Sequence, residues 1–222
     1  MHEECQQQII HYDIKPGNIL LDANFFPKVA DFSLAKLCNW ENSHVTMTEE
    51  RGTPGYAAPE MWMPYPITQK CDVYSFGMLL FEIIGKIKNH GDSLPKSPEW
   101  FPRWVWKKFE CGELRELSIV CGIEEKYMEA AERMIKVAFW CVQYRPESRP
   151  LMSVVVKMLE GAVEIPKPFN QFQHKLVVTS CTNAPFHPTQ TDSNYNSEYY
   201  SQMSSVCATP VMRKYEIEMA ST

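Results

Sequence analysis

The chain has 222 residues, 45% of them hydrophobic and 22% charged, enough apolar material to bury a substantial core. Its net charge of −5 offers no basic stripe for nucleic acid or for an anionic membrane surface. Eight cysteines (Cys5, Cys38, Cys71, Cys111, Cys121, Cys141, Cys181, Cys207) are scattered without a CxxC pair, which suits free thiols in a reducing compartment better than a disulfide framework or a zinc site.

In chain order, "MHEECQQQ" has helical composition without a cap before it, as if the chain began within a helix. The Pro-Gly pair of "HYDIKPGN" (His11 to Asn18) marks a loop, and "ILLD" and "PKVA" beyond it read as two short strands. From Asp31 to Glu60 the sequence is polar and irregular, closing on "GTPGY". The apolar run "VYSFGMLLFEIIG" carries Glu82 and is too short to span a bilayer, so it reads as a buried helix. Val73, Phe76, Leu80, Ile83 and Ile84 are its expected inner face and Gly85 its stop. A Pro- and Ser-rich loop follows, then the aromatic "RWVWKKFE", expected to supply core more than interface. Two further helices, "EEKYMEAAERMIKVAFWCVQ" and "SVVVKMLEG", flank "YRPESRP", whose prolines enforce a break. In the first of them Ala131, Ile135, Ala138, Phe139 and Val142 share a face. The expected organisation is one domain over residues 1–165 and a polar, solvated tail over 166–222, most polar from about His174.

"HYDIKPGN" is the stretch that bears chemistry. Asp13 is placed to accept a proton from an attacking hydroxyl, Lys15 to neutralise charge on a transferred phosphoryl group, and Asn18 to hold a metal ion. A surface turn with incidental charges is the plain alternative. It loses ground because "DFS" at Asp31 to Ser33 supplies a second carboxylate where a magnesium ligand is wanted.

The order "HYDIKPGN", "DFS", "GTPGYAAPE", "DVYSFG" and "SRP" resembles the C-terminal lobe of a eukaryotic protein kinase, over roughly His2 to Gly161. The resemblance implies a mainly helical lobe with a short β-strand pair beside the catalytic loop. It also implies that Asp13 is the catalytic base, Lys15 the phosphate contact, and Asn18 and Asp31 the magnesium ligands. Lys15 with Thr53 resembles the serine/threonine branch. His11 and Phe32 match residues of the family's packed spine, Leu20 would lie beneath the adenine ring, and Asp72 would anchor the loop backbone rather than serve only as a helix-terminal charge. Arg149 would pair with Glu60.

"WCVQYRPESRPLMSVVVKMLEG" with "IPKPF" is similar to plant receptor-like kinases, and within them to the leaf-rust-resistance and thaumatin-like receptor kinase subgroup. The implied cofactors are ATP and Mg2+, and the implied partner is a protein substrate. The implied location is cytoplasmic, on the inner side of the plasma membrane for a full receptor-like kinase. Residues 1–222 hold no Gly-rich loop, strand Lys or hinge, so the N-terminal lobe is expected to be absent and ATP binding by this chain alone weak.

Two departures matter. Tyr12 stands where the family has Arg, which removes the cationic partner for a phosphorylated activation segment and argues against Ser43, Thr46 or Thr48 as the main on-switch. Ser33 replaces Gly, and its Cβ restricts the hinge. Two other readings remain open: a non-catalytic kinase-like interaction module that competes with an intact kinase, and a small-molecule phosphotransferase. Lys15 and "GTPGYAAPE" argue against the latter.

Overall fold

The computed structural model describes residues 1–3, 5, 7–38, 52–62, 66–86 and 100–172. Two compact units divide the chain, Met1–Phe169 and Asn170–Thr222, and the first carries all the elements below. Among the described residues four strands, β1 (Gln8–Ile10), β2 (Ile19–Leu21), β3 (Pro27–Val29) and β4 (Lys36–Cys38), precede five α-helices: α1 (Lys70–Gly85), α2 (Phe101–Glu110), α3 (Leu114–Val120), α4 (Met128–Cys141) and α5 (Met152–Glu160).

The strands form two antiparallel ribbons. In β2–β3, Leu20 faces Lys28; in β1–β4, Ile9 faces Leu37. The pair expected from "ILLD" and "PKVA" is present, and Asp22 ties its turn by accepting N–H bonds from Asn24 at 2.9 Å and Phe26 at 3.0 Å. The other ribbon corrects the sequence reading twice. Residues 1–3, 5 and 7 are not helical, because so few residues cannot sustain a helix without packing; instead Gln8 to Ile10 pair as a strand, with Ile9 N–H donating to the Met1 carbonyl. β4 lies inside the stretch expected to be irregular, and three residues are too few to announce themselves by alternation.

Helix α1 is the core's axis. Cys71, Val73, Tyr74, Met78, Leu80, Phe81 and Ile84 are all buried, so apolar side chains surround it. That explains one misassigned face: Phe76 and Ile83, a heptad apart, lie on its least covered side, and Ile83 is 55% exposed. A helix apolar all round gives periodicity little to choose by. Gly85 also does a different job from the one expected. Lys86 takes the left-handed cap (φ 53°), while a Cβ on Gly85 would stand 2.7 Å from Phe101 Cζ. The glycine therefore admits an aromatic ring rather than a turn.

That ring belongs to a cluster joining α1, α2 and α4. Phe81 meets Phe139 at 5.3 Å between centroids, and Trp106 meets Phe139 edge-on at 4.8 Å. Phe101 and Trp106 are buried, so these aromatics of α2 are core. Ala131, Ile135, Ala138, Phe139 and Val142 of α4 and its exit are buried as their spacing required. Helix α3 went unpredicted: Leu114 and Leu117 are buried, but seven residues are too short a window for a period.

Helices α1 and α4 approach closely at Gly77, where a Cβ would fall 2.6 Å from Cys141 Cβ and 2.7 Å from Val142 Cγ1. Gly77→Ala is therefore expected to cost about 1–3 kcal/mol by overpacking, read as a lower urea midpoint at unchanged m-value.

Cys5, Cys38, Cys71, Cys111, Cys121 and Cys141 are free thiols; Cys181 and Cys207 lie outside the described residues. No described helix is long and apolar enough to cross a membrane.

Candidate active site

The site is built on a loop whose backbone is held from below. Asp72, in the first turn of α1 and 1% exposed, accepts the His11 N–H on Oδ2 at 2.8 Å and the Tyr12 N–H on Oδ1 at 2.9 Å. Tyr12 sits at φ 67°, a conformation unfavourable for a residue with a Cβ. Two charge-assisted bonds from a buried carboxylate offset that strain. The Asp72 expected to anchor the loop thus makes the bonds such an anchor needs, and it is more than a helix-terminal charge.

His11 is locked as well. Asp13 N–H donates to His11 Nδ1 at 3.3 Å, which leaves the proton on Nε2, 3.0 Å from the Ala30 carbonyl. The ring meets Phe32 edge-on at 5.0 Å, so the two residues matched to a packed spine touch. Phe32 is otherwise 46% exposed.

Asp13 follows, 8% exposed, with three side-chain donors converging on it. Thr53 Oγ1 donates to Oδ1 at 2.5 Å, Lys15 Nζ stands 2.7 Å from Oδ2, and Asn18 Nδ2 donates to Oδ2 at 3.1 Å and to the Asp13 carbonyl at 2.9 Å. Lys15 Nζ also donates to Thr53 Oγ1 at 2.8 Å. The sequence separates Thr53 from Asp13 by forty positions; the fold closes them into one ring of hydrogen bonds. Burial pushes the Asp13 carboxyl up, but the bonds from Lys15 and Thr53 outweigh it, and the group is held below its ordinary value. Asp13 is therefore a carboxylate at neutral pH.

Asp31, exposed and at φ 60°, stands at the end of the β2–β3 ribbon. Ser33 caps it: the hydroxyl donates to Asp31 Oδ1 at 2.7 Å and the Ser33 N–H at 3.4 Å, which lowers the Asp31 pKa. The residue that departs from glycine thus ties down one oxygen of the second carboxylate. Leu20, on β2, is 56% exposed.

A hard cation is compatible with this donor set. Asn18 turns its amide nitrogen toward Asp13, which leaves its carbonyl oxygen for a metal, and Asp31 retains Oδ2. Among the described residues no three His, Cys, Asp or Glu form a closed cage. Magnesium held by one carboxylate, an amide oxygen, phosphates and water requires none.

The segment around Thr53 is fixed by its own anchors. Ser75 Oγ donates to the Tyr56 carbonyl at 2.9 Å, and the Tyr56 hydroxyl bonds Glu82. Gly52 (φ 91°) passes so near the Tyr12 carbonyl that a Cβ would come within 3.1 Å. Farther along, Glu60 meets Arg149 in a two-pronged buried pair, with Nη1 to Oε1 at 2.6 Å and Nη2 to Oε2 at 2.8 Å. Sequence reasoning missed His2, Tyr56 and Ser75, because no motif spacing marks them. Ser43, Thr46 and Thr48 lie outside the described residues.

A buried carboxylate ringed by Lys, Asn and Thr, on a loop anchored from beneath, and a second carboxylate at the end of the next ribbon are the groups that phosphoryl transfer calls for. The protein kinase domain profile matches residues 1–159, and the chain belongs to that family. It is 45% identical over 170 residues to a G-type lectin S-receptor-like serine/threonine-protein kinase of Arabidopsis thaliana, covering 76% of this chain and 20% of the relative. It is 41% identical over 184 residues to the rust resistance kinase Lr10 of Triticum aestivum, covering 80% and 29%. A PR5-like receptor kinase of Arabidopsis thaliana is 42% identical over 171 residues, covering 74% and 25%. The chain thus spans under a third of the length of these relatives.

Proposed function

We propose that residues 1–165 are the C-terminal lobe of a plant receptor-like serine/threonine protein kinase, of the leaf-rust-resistance and thaumatin-like subgroup, that transfers phosphate from ATP to a hydroxyl of a protein substrate. The convergence of Lys15, Asn18 and Thr53 on Asp13 carries this reading. Similarity to Lr10 and to the PR5-like receptor kinase, at 41 and 42% identity, supports the subgroup; G-type lectin relatives, which lie outside it, match at 45 and 47%.

Asp13, ionised and aimed by its donors, orients the substrate hydroxyl and takes its proton late, as the bond to phosphorus forms. A carboxylate held at low pKa is a weak base, which suits positioning more than early proton abstraction. Lys15 lies between Asp13 and Thr53, where its charge can serve the transferred group while Thr53 keeps it in place. Asn18 and Asp31 would hold Mg2+, which would neutralise charge on the phosphates. Leu20 would form the floor under the adenine; its exposure suits a floor whose ceiling, a Gly-rich loop with a strand Lys, is not found in residues 1–222. The remainder, 166–222, is proposed as a polar tail. The protein would act on the cytoplasmic side of the plasma membrane.

Calorimetry tests the division of labour. The 222-residue chain is expected to bind Mg·ATP with no detectable heat at micromolar concentrations, and to bind it once joined behind the Gly-rich-loop lobe of Lr10. Micromolar affinity in the chain alone would contradict the proposal.

A further inference from the structure

The third position of "DFS" departs from the family pattern, and the structure gives its hydroxyl a definite partner. Ser33 Oγ donates to Asp31 Oδ1 at 2.7 Å, and the Ser33 N–H approaches the same oxygen at 3.4 Å. Both donors fall on one oxygen; among the described residues none is placed on Oδ2. A glycine at this position would offer only the longer contact from its amide.

The backbone holds this arrangement without added strain. Asp31 stands at φ 60°, a region that Asp tolerates better than most residues, while Ser33 is not at positive φ. The Ala35 N–H donates to the Phe32 carbonyl at 3.1 Å and closes a turn around Ser33. The Ala30 N–H donates to the Asn18 carbonyl at 2.9 Å, so the residue before Asp31 is tied to the other residue proposed to hold a cation.

A carboxylate with one oxygen engaged treats cations unequally. Mg2+ keeps several waters in a tight octahedral shell and needs one oxygen from a carboxylate, whereas Ca2+ gathers about six to eight oxygens and often takes both from one carboxylate. Asp31 can offer Mg2+ its Oδ2 with the Ser33 bond intact. To give Ca2+ both oxygens it must first release the Ser33 hydroxyl, and that hydrogen bond is lost.

We propose that Ser33 is a positioning residue for Asp31 and, through it, a selectivity determinant for the cation: by occupying Oδ1 it leaves a one-oxygen site that prefers Mg2+ to Ca2+. The inference rests on Asp31 as a metal ligand, which belongs to the kinase reading.

Cation titration of the 222-residue chain tests it without requiring activity. Amide NMR shifts at Asn18, Asp31 and Ser33 would be followed with Mg2+ or Ca2+ into the tens of millimolar, and Asp31→Asn should abolish the response to both. Ser33→Ala removes the hydroxyl and keeps the Cβ. It should raise the affinity for Ca2+ about three- to ten-fold more than that for Mg2+, the worth of one hydrogen bond that no longer has to be broken. Ser33→Thr, which keeps a hydroxyl on the same carbon, should retain the wild-type ratio. An unchanged ratio of the two affinities in Ser33→Ala, or the same change in the Ala and Thr variants, would overturn the proposal while Asp31 remained a metal ligand. A wild-type chain whose Asn18 and Asp31 amides answer to neither cation would overturn the metal assignment of the kinase reading, and the proposal with it.

Discussion

Arg149→Met is expected to lower the stability of the folded unit by about 3–5 kcal/mol, the cost of leaving a buried charge without its partner. The Arg149 side chain is fully buried and that of Glu60 2% exposed, so water cannot replace the lost guanidinium. More than Glu60 is orphaned. Arg149 Nε donates to the Gln143 carbonyl at 2.7 Å, Nη1 to the Lys70 carbonyl at 2.9 Å and Nη2 to the Tyr144 carbonyl at 3.1 Å, and the guanidinium lies 5.0 Å from the Tyr74 ring centre. One side chain thus joins the turn at Pro59–Trp62, the start of α1 and the exit of α4. The check is urea unfolding of Arg149→Met, Glu60→Gln and the double variant. The double variant should lose less than the sum of the singles, because Glu60→Gln removes the charge that Arg149→Met strands. A loss below about 1 kcal/mol for Arg149→Met would show that the pair is not structural, since buried pairs cost more than that to break.

Asp13→Asn is expected to reduce phosphotransfer by about 10²–10⁴-fold, the usual contribution of a positioned general base. The substitution keeps the shape and reverses the bonding. An amide nitrogen placed at Oδ2 would face two donors, Lys15 Nζ and Asn18 Nδ2, so the ring of hydrogen bonds that aims the side chain could not close. The wild-type pH profile carries a second expectation. Because the folded carboxyl is held below its ordinary 3.8, Asp13 stays ionised on acidification, and its loss of charge adds no acid limb to the rate above about pH 5. The same linkage makes its stabilising contribution complete above that ordinary value and lost only as pH falls through the lowered one. A rate that rises ten-fold per pH unit between about pH 6 and 7 would place the titrating base elsewhere, since so full a slope reports an essential group that is still mostly protonated at about pH 7.

The order of short motifs made the class of site legible, because phosphoryl transfer constrains residue types more than it constrains spacing. Asp13, Lys15, Asn18 and Asp31 could be read together, since they lie within nineteen positions on one loop and one ribbon. Thr53, Glu60, Asp72 and Arg149 could be read only through the family pattern, because their contacts span thirty-eight positions or more. His2 was hidden for a different reason: the helical look of "MHEECQQQ" pointed away from a segment whose histidine turns inward to Asp72. The exposed Ile83 shows the limit of periodicity where apolar residues fall on every side of a helix.

The most direct test of the central claim is phosphotransfer from radiolabelled ATP to serine- and threonine-containing peptides by the chain joined behind the Lr10 Gly-rich-loop lobe, with and without Mg2+. The expected result is label on serine or threonine that requires Mg2+ and falls at least about a hundred-fold in Asp13→Asn. A joined protein that folds and binds Mg·ATP, yet transfers no phosphate or transfers it equally well without the Asp13 carboxylate, would contradict it.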